Sequence, residues 1–587
     1  MTLERDDILF ANVTVIDGSG DEERYLANVI VRKEKIQEIR RSDEDLREEA
    51  KSIGIRCIDG ENGKWILCPG FIDMHAHSDL SLLHTPSHEA KITQGVTTEV
   101  VGQDGISYSP VNDECMQRIR VQIAGWNGNP QEPKDFFSRW RTVKEYLDVL
   151  DNEKIATNVA YLVPQGNLRM LAMGYDSGKA SSKQIQQMKE QLQISLDQGA
   201  VGMSSGLTYV PGMFADGEEL AQLLEVVQEA KGYYCPHTRS YGKGAMEAYA
   251  EMIDLAQRTK CRLHLTHATL NFGDNAGRAN EFMKMVDKGI KDGIEITMDT
   301  YPYLPGSTTL AALLPSWAAA SGNLQTVLKD PEMLEKLRHQ SLVTGTDGCH
   351  GCRLEWETIE IAGVQNSELK FCLGKTIEEI GKGQGKEPFE VFIDLLIRDN
   401  QATLILQHVG HEENVRAIMR HPKHCGGSDG ILTASKPHPR GWGTFTRYLG
   451  HYGRDLERGK SRMITKPPTA ESNSAEDEYE SVEPCKIFQG GLEEAIAHLT
   501  SRAANVIGIG QSRGLVKVGM QADLCLFDPT IVSDKATFAN PRQASLGIRF
   551  VLVNGQFALD EGTPTGKRAG RTIRRHLGGK AGTSYVC

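Results

Sequence analysis

The sequence predicts an α/β protein with a central (β/α)8 barrel of the TIM type. Three observations point to this fold. Short apolar runs alternate with helical stretches through the middle of the chain, β-rich segments lie near both ends, and polar side chains follow several of the apolar runs. Alternating strands and helices imply a parallel sheet, and about eight strands closing on themselves imply a barrel.

Both ends of the chain contain short β-rich segments. Residues 8–32 hold two alternating apolar runs joined by a Gly/Asp turn, a pattern typical of a small antiparallel sheet. Residues 519–528 and 548–555 show the same pattern near the other end. We therefore expect residues 1–62 and 506–587 to meet in one β domain outside the central body.

The central body begins with an apolar run at 65–72 that passes through a Pro-Gly turn. Seven further strand candidates follow at residues 96–101, 155–163, 200–203, 233–237, 262–267, 295–300 and 421–429. The clearest helix between them is 181–199, where apolar residues recur at helical spacing on a charged background. These elements predict a barrel made of residues 63–304 and 421–505.

The stretch 305–420 is too long for a single βα loop and contains its own apolar pieces at 388–397 and 402–409. We expect it to form an inserted subdomain near the mouth of the barrel, where loops shape a binding site. Residues 458–486 are polar, acid-rich and contain prolines. Such a segment buries too little apolar surface to become ordered, so we expect a mobile acidic loop.

The composition excludes several classes of partner. The chain has 587 residues and a formal net charge of −12, which argues against nucleic acid or an anionic membrane, because both attract clustered Lys and Arg. It has no bilayer-length apolar run, and its acidic start is unlike a targeting segment, so a cytoplasmic protein is expected. The twelve cysteines are scattered and expected to be reduced; Cys349 and Cys352, a lone CxxC pair, are weak grounds for a metal site.

Polar residues at the ends of the predicted strands suggest a metal site. His75 and His77 fall on one face of a strand about 7 Å apart, where two imidazoles can chelate one ion. Four further candidates stand at or just after the ends of later strands: Asp104, His237, His267 and Asp429. A hydrolytic metal site needs nitrogen or oxygen ligands from several strands, an open position for water and a nearby base. The pattern therefore predicts such a site at the mouth of the barrel.

His264 is expected to stay outside this site. It stands three residues before His267 on the same predicted strand, so alternation turns it to the opposite face. We expect it to pack between the barrel and the surrounding helices.

Several segments together carry a family resemblance. They are GFIDMHAHSD (70–79), GVTTEVVG (95–102), GAVGMSSGLTYVPG (199–212), HTR (237–239), DTYPYLPGST (299–308), GGSDG (426–430), KPHPRGWGTF (436–445) and GLVKVGMQADLCLFDP (514–529). The chain resembles the amidohydrolase superfamily and, within it, the D-aminoacylase branch of N-acyl-D-amino-acid deacylases. The resemblance spans all but the acidic stretch; GMSSGL, DxYPY and PHPR are specific to the branch, whereas His-x-His is shared across the superfamily.

The resemblance implies a β-sandwich from both termini, a metal-bearing (β/α)8 barrel and a small inserted lid. It also implies that one or two divalent metal ions are bound, with zinc as the first candidate. The implied ligands are His75, His77, Asp104, His237 and His267. With Asp429 as general base, the implied reaction splits a small-molecule N-acyl-D-amino acid into a D-amino acid, or a related amine, and a carboxylate.

Two positions depart from the branch. Asp104 stands where the branch usually has a cysteine ligand; a carboxylate can also ligate, but it shifts the preference toward manganese, cobalt or iron. The alternative is that Asp104 is not itself a ligand and lies next to the residues that are. Thr269 stands where the branch tends to have a lysine for the substrate carboxylate. Either another cation takes that task, with Arg239, Lys436 and Arg440 as candidates, or the substrate is not an ordinary N-acyl amino acid.

The remaining predicted substrate contacts are hydroxyl groups. Tyr209, Tyr301 and Tyr303 are candidate hydrogen-bond donors, although one or two of them can simply pack against the mouth of the barrel, and Ser307 is a weaker candidate.

Two other functions compete with deacylation. A cyclic amide hydrolase of the hydantoinase or dihydroorotase kind would commonly carry a carboxylated lysine on the fourth strand, and residues 201–206 contain none. A barrel scaffold without catalysis would lack ligands or base, which are present. The oligomeric state is not predicted.

Overall fold

The computed structural model describes residues 3–41, 45–131, 133–320, 324–462, 480–576 and 584–586. Within these ranges no helix combines the length and apolar character needed to cross a membrane. The eleven cysteines in the described ranges are free thiols, in agreement with their scattered spacing.

Eight parallel strands form the predicted barrel. In chain order and in spatial order they are Phe71–Asp73, Val96–Val101, Asn158–Pro164, Gly202–Gly206, Tyr233–His237, Arg262–Leu265, Ile296–Thr300 and His424–Gly426. The first and last strands meet through a hydrogen bond of 3.1 Å from Met74 N to Gly426 O and a bridge between Ala76 and Gly430. The barrel fold is therefore confirmed, and its carboxyl ends face one common mouth.

Helices surround the barrel strands. The principal ones are Asp113–Gln122, Val143–Glu153, Gln165–Met173, Ser182–Asp197, Gly217–Glu229, Ala245–Thr259, Ala279–Lys291, Glu412–Met419, Arg440–Arg447, Gly491–Leu499 and Ser501–Ile507. The predicted helix at 181–199 illustrates why they form. Ser181 and Gln184 make a capping box at its start, and Ile185, Met188 and Leu192 are buried on one face. That face joins the large core between barrel and helices.

Both ends of the chain contribute to one mixed sheet of nine strands. Its strands are Asp7–Val15, Tyr25–Arg32, Lys35–Arg40, Arg56–Asp59, Ile66–Pro69, Leu524–Phe527, Ile548–Val553, Gln556–Asp560 and Thr563–Pro564. Ile66–Pro69 pairs with Leu524–Phe527 and with Asp7–Val15, so the two ends are joined directly. The strand at Ile66–Pro69 then leads through Gly70 into the first barrel strand, which carries the His-x-His segment at its end.

The stretch between the last two barrel strands contains its own sheet and helices. Three antiparallel strands, Gly306–Thr309, Leu404–Gln407 and Ile359–Gly363, lie side by side in that order. The longer helices here are Pro331–His339, Ile377–Gln384 and Pro388–Arg398. Their buried apolar residues form a separate core. Of the predicted acidic loop at 458–486, residues 463–479 lie outside the described ranges.

Candidate metal centre

The strand ends bring the predicted ligands to one place by way of tight turns. Asp104, His267 and Asp429 all adopt a left-handed backbone, with φ of 55°, 32° and 49°. Such φ values are uncommon for residues other than glycine and cost free energy, so the surrounding structure must hold them. Gly206 helps to do so: a Cβ there would lie 2.0 Å from the carbonyl oxygen of Asp104. The loop carrying Asp104 therefore lies directly against the fourth strand.

The first group of candidate ligands joins the His-x-His segment to two carboxylates. His75 Nε2 and His77 Nε2 lie 3.3 Å apart. His77 Nε2 lies 3.4 Å from Asp104 Oδ2 and 3.1 Å from Asp429 Oδ1. His75 Nε2 lies 3.7 Å from the other Asp104 oxygen. All four side chains are buried, and one ligand atom from each falls within 4.8 Å of the others.

A second group shares Asp104 with the first. His237 Nδ1 and His267 Nε2 are 3.0 Å apart. They lie 3.6 Å from Asp104 Oδ2 and 3.4 Å from Asp104 Oδ1, respectively. Each Asp104 oxygen thus faces both groups, so this carboxylate is placed to bridge two adjacent ions or to complete the shell of one.

The spacing of these donors suits a small divalent cation. Two ligands of a tetrahedral zinc ion lie about 3.3 Å apart when each bond is about 2.0 Å. The nitrogen and oxygen pairs given above scatter around that value. His75 Nδ1 and Asp104 Oδ1 are also buried without a hydrogen-bond partner among the described residues. Buried polar atoms without partners are costly, and for Asp104 a bound cation would relieve that cost.

The two histidines of the first strand differ in charge. Burial lowers the pKa of His75 to about 4, in spite of nearby Asp104 and Asp429. Burial also opposes a charged His77, but hydrogen bonds to the same two carboxylates outweigh it and raise the pKa of His77 to about 10. His75 is therefore neutral, as a metal ligand must be, whereas His77 holds a proton between the two carboxylates, and a metal bound at His77 would have to displace that proton.

Asp429 is held as a carboxylate at neutral pH. Burial would raise its pKa, but the charge of Arg440 and a hydrogen bond from His77 keep that pKa well below its usual range. Arg440 Nη1 lies 2.9 Å from Asp429 Oδ2, and the Arg440 side chain is fully buried. Asp429 therefore has one oxygen toward the histidines and the other toward a fixed cation.

Buried polar residues orient the candidate ligands. Asp299 accepts a hydrogen bond of 2.9 Å from the backbone N–H of His267. Lys91 Nζ lies 2.5 Å from Asp73 Oδ2 and 2.9 Å from Ser428 Oγ, and the Asp73 carboxylate accepts the backbone N–H groups of His75 and Ser428. This network ties the first strand to the turn that carries Asp429, and the sequence analysis did not single it out.

His264 lies inside the barrel, and the expectation that it packs against the helices is wrong. Leu263 and Leu265 on either side of it belong to the helix-facing core, so His264 points inward. Its Nε2 lies 3.0 Å from Asp299 Oδ2. The alternation argument fails because the strand ends at Leu265 and His267 follows in a turn. His264 is still not among the candidate ligands.

Most of the predicted substrate contacts line a cavity of about 70 Å³ next to the candidate ligands, which we call the polar pocket. Asp104, His237, His267 and Asp429 form part of its wall. Tyr209, Thr269, Tyr301 and Ser307 line it. Ser307 Oγ is buried and has no hydrogen-bond partner in the described structure. Arg440 borders the site through Asp429 and through the ring of Tyr301, which lies 4.5 Å from its guanidinium carbon.

Two predicted substrate residues are not brought to the polar pocket. Arg239 pairs with Glu251 at 2.8 Å and donates to two backbone carbonyl groups, so its guanidinium is engaged elsewhere. Tyr303 is buried with its hydroxyl 3.5 Å from Asp534 and its ring against His438. Of the cations considered as replacements for the absent lysine, Lys436 pairs with Glu360 at 3.5 Å, which leaves Arg440 beside the site.

The sequence analysis missed three aromatic side chains at the site: Tyr241, which lines the polar pocket beside His237 and His267, and the two described next. The Trp126 ring lies 5.2 Å from the His77 ring and 5.0 Å from the Tyr209 ring. His350, from the inserted stretch, lines the polar pocket at 6.3 Å from the His237 ring, and its Nδ1 has no partner among the described residues. Both come from segments outside the barrel strands. The only sequence signal for His350 was its place inside the CxxC pair.

Comparison with known proteins agrees with this geometry. The amidohydrolase family profile matches residues 63–558, most of the chain. The chain belongs to the amidohydrolase family. N-acyl-D-glutamate deacylase from Alcaligenes xylosoxydans xylosoxydans is 30% identical to this amidohydrolase over 572 residues, 97% of each chain. D-aminoacylase from the same organism is 28% identical over 574 residues, 97% of this chain and 98% of that one.

A solved structure of a relative has a similar fold. N-acyl-D-glutamate deacylase from Bordetella bronchiseptica, complexed with zinc and a phosphonate inhibitor, matches this amidohydrolase with a TM-score of 0.76 at 28% identity. The match covers 98% of this chain and 100% of that one. The fourth strand, Gly202–Gly206, contains no lysine, and a cyclic amide hydrolase would commonly carry a carboxylated lysine on that strand.

Proposed function

We propose that the protein is a metal-dependent deacylase that hydrolyses the linear amide of an N-acyl-D-amino acid. The observation that carries this proposal is the convergence of four histidines and two carboxylates at the mouth of the barrel, with one carboxylate, Asp429, fixed by Arg440. The similarity to relatives named as deacylases of N-acyl-D-glutamate and D-amino acids supports the substrate class.

The proposed metal ligands are four imidazoles and one carboxylate: His75, His77, His237, His267 and Asp104. Their donor set and spacing suit zinc, which the solved relative contains, as one or two ions. When bound, such a metal polarises the scissile carbonyl and lowers the pKa of a water toward about 7. Manganese, cobalt and iron also fit the oxygen donor at Asp104.

Asp429 acts as general base and then as general acid. Its carboxylate is ionised, so it can take a proton from the attacking water and return that proton to the departing amine. Arg440 restrains the second oxygen and leaves Oδ1 toward the ligand histidines. Tyr301, Ser307 and Thr269, which line the polar pocket, are the proposed contacts of the amino-acid portion.

The proposed division of the chain follows from the same site. Residues 63–304 and 421–505 supply the metal and base residues, and residues 305–420 cover the pocket, with Gly306, Ser307, His350 and Gln407 in its wall. Residues 1–62 and 506–587 form the terminal sheet domain. A lid role for the insertion is consistent with this arrangement.

The test is hydrolysis of matched N-acetyl amino acids of both configurations by the purified protein, with elemental analysis of the same sample. We expect release of the free amine from the D compounds, little from the L compounds, and about one or two equivalents of bound divalent metal. Hydantoin and dihydrouracil serve as cyclic comparison substrates. Hydrolysis of these alone, or of none of the compounds by metal-loaded protein, would overturn the proposal.

A further inference from the structure

A second cavity lies beside the polar pocket. It has a volume of about 380 Å³, against about 70 Å³ for the polar pocket. Thr208, Tyr209 and Ala312 line both spaces, so the two adjoin. Its wall is mainly apolar and includes Ile106, Val121, Trp126, Met213, Leu314 and Leu324. We call it the apolar cavity.

The apolar cavity is separated from the candidate metal ligands by single aromatic side chains. Trp126 forms part of its wall, and the Trp126 ring lies 5.2 Å from the His77 ring. Tyr209 forms another part, and its ring lies 4.8 Å from the His237 ring. A group bound in this cavity can therefore be continuous with a carbonyl held at the ligands.

The position of the base decides which part of the substrate enters. Asp429, Tyr301 and Ser307 line the polar pocket, and none of them lines the apolar cavity. Because the leaving amine must receive its proton from Asp429, the amino-acid portion belongs in the polar pocket. The other substituent of the scissile carbonyl, the acyl chain, is then directed toward the apolar cavity.

The charges on the walls favour a hydrocarbon in that position. Among the described residues lining either space, Arg118 is the one arginine or lysine. It stands at the rim, pairs with Glu114 at 3.0 Å and lies over the Tyr175 ring. The polar Gln122 is also engaged, through a hydrogen bond to Val210 O. A carboxylate carried on the acyl chain would have no unpaired cation there, and burying an unpaired charge is unfavourable.

We propose that the apolar cavity is an acyl-chain site, and that this enzyme prefers N-acyl-D-amino acids with a medium or long hydrocarbon acyl group. This inference rests on the proposed deacylase function. It departs from the relative named for N-acyl-D-glutamate, because the polar pocket, where the amino-acid side chain would lie, has no arginine or lysine among its described lining residues. Each methylene moved from water into such a site improves binding by about fourfold.

The experiment compares kcat/KM of the metal-loaded enzyme on three series. The acyl series is N-acetyl-, N-hexanoyl- and N-octanoyl-D-alanine; the side-chain series extends N-acetyl-D-alanine to N-acetyl-D-2-aminooctanoate; the acidic substrate is N-acetyl-D-glutamate. We expect kcat/KM to rise at least tenfold from acetyl to octanoyl, mainly through KM. Extension of the side chain should change it by less than threefold, and the glutamate derivative should not exceed the alanine one.

Two variants locate the effect. Ala311→Phe fills the apolar cavity, and Val121→Asp places a charge at its rim, where the side chain of Val121 is already exposed. Both should lower kcat/KM on N-octanoyl-D-alanine at least fivefold and leave N-acetyl-D-alanine within twofold. Val518→Asp, at an exposed site that does not line the apolar cavity, is the matched control and should change neither substrate.

The outcomes separate the two proposals. If no N-acyl-D-amino acid is hydrolysed, the deacylase function fails. If N-acetyl-D-alanine is hydrolysed but octanoyl is no better, the acyl-chain site is overturned while the deacylase function stands. A preference that follows side-chain length and is lost in Val121→Asp would also overturn it, because the cavity would then hold the side chain.

Discussion

Asp429 stands at the centre of the proposed chemistry because its two oxygens have different neighbours. One lies 3.1 Å from His77 Nε2 and the other 2.9 Å from Arg440 Nη1. The Arg440 pair keeps the carboxylate charged and in place inside a buried site. The residue can therefore accept a proton without first losing one, which a general base at neutral pH must do.

Replacing Asp429 by Asn tests this role. The amide has nearly the same size but cannot accept the proton, so we expect kcat on an N-acetyl-D-amino acid to fall by about 10²- to 10⁴-fold. Metal content and melting temperature should stay close to those of the unaltered enzyme, since the five proposed ligands remain. Turnover within fivefold of the original would show that another group is the base.

Asp104 is one of the two residues at which the chain departs from the D-aminoacylase branch. Its two oxygens face both groups of histidines, so its loss should weaken every proposed metal position. We expect Asp104→Ala to lower the bound metal by at least half and to reduce turnover at least tenfold. Asp113→Ala, at an exposed carboxylate, is the matched control. Full metal content with full activity in Asp104→Ala would show that Asp104 is not a ligand.

At the residue scale, the sequence predicted the candidate ligands better than the side chains around them. A His or Asp at a strand end is visible in the local pattern, and the barrel places all such ends together. Which of Arg239 and Arg440 lies beside the site depends on their ion-pair partners, Glu251 and Asp429, and the local sequence pattern does not show these pairs. His264 was misplaced because the exact strand end at Leu265 is not visible in the apolar pattern.

At the scale of single elements, the fourth strand and the loop of Asp104 depend on a close backbone approach. A Cβ at Gly206 would lie 2.0 Å from Asp104 O, a backbone atom that can move only with the loop. We expect Gly206→Ala to destabilise the protein by about 1–3 kcal/mol, as overpacking does, and to lower metal content. Thermal unfolding and elemental analysis measure the two effects.

Gly383 provides the matched control for that substitution. It lies within the helix Ile377–Gln384, and a Cβ there would meet nothing within 4 Å. Gly383→Ala should leave stability unchanged or increase it by up to about 1 kcal/mol, because alanine favours the helix. Equal effects of the two substitutions would contradict the close approach at Gly206.

The second barrel strand is tied to its neighbours by a buried ion pair. Glu99 Oε1 lies 2.7 Å from His88 Nε2 and accepts a hydrogen bond from Thr157. Burial would raise the pKa of Glu99, but the charge of His88 outweighs it and lowers that pKa to about 2. A lowered folded-state pKa stabilises the protein above pH 4.5, and this contribution is lost as the pH falls toward about 2.

The variant Glu99→Gln tests that pH dependence. Between pH 6 and 7 we expect it to be less stable than the unaltered protein by on the order of 3 kcal/mol. The difference should shrink steadily as the pH falls from about 4.5 toward 2, measured by denaturant unfolding at each pH. A difference that stays constant over this range would show that the ion pair does not set the acid sensitivity.

Two barrel strands have the limits that the sequence pattern predicted. Val96–Val101 and Tyr233–His237 begin and end where expected, and both are buried along their whole length. Trp126 and His350 were not foreseen as site residues. They reach the site from a short helix after the second strand and from a turn of the insertion, whose positions depend on tertiary packing.

At the scale of the whole molecule, the terminal sheet and the barrel share buried polar contacts. Asn158, at the start of the third barrel strand, donates to Asp523, which is also paired with Arg513. Asn554 in turn donates to Asn158. The barrel is thus joined to the C-terminal segment below the site, while the insertion covers its mouth. One framework therefore carries the ligands, the base and the pocket wall.

Metal dependence of D-selective hydrolysis tests the central claim most directly. The protein would be stripped with a chelator, confirmed folded, and titrated with zinc while hydrolysis of an N-acetyl-D-amino acid is followed. We predict that stripped protein is inactive and that activity returns in proportion to the first equivalent of bound zinc, with the L-enantiomer hydrolysed far more slowly. Unchanged hydrolysis by metal-free protein, or no hydrolysis at full metal content, would contradict the account.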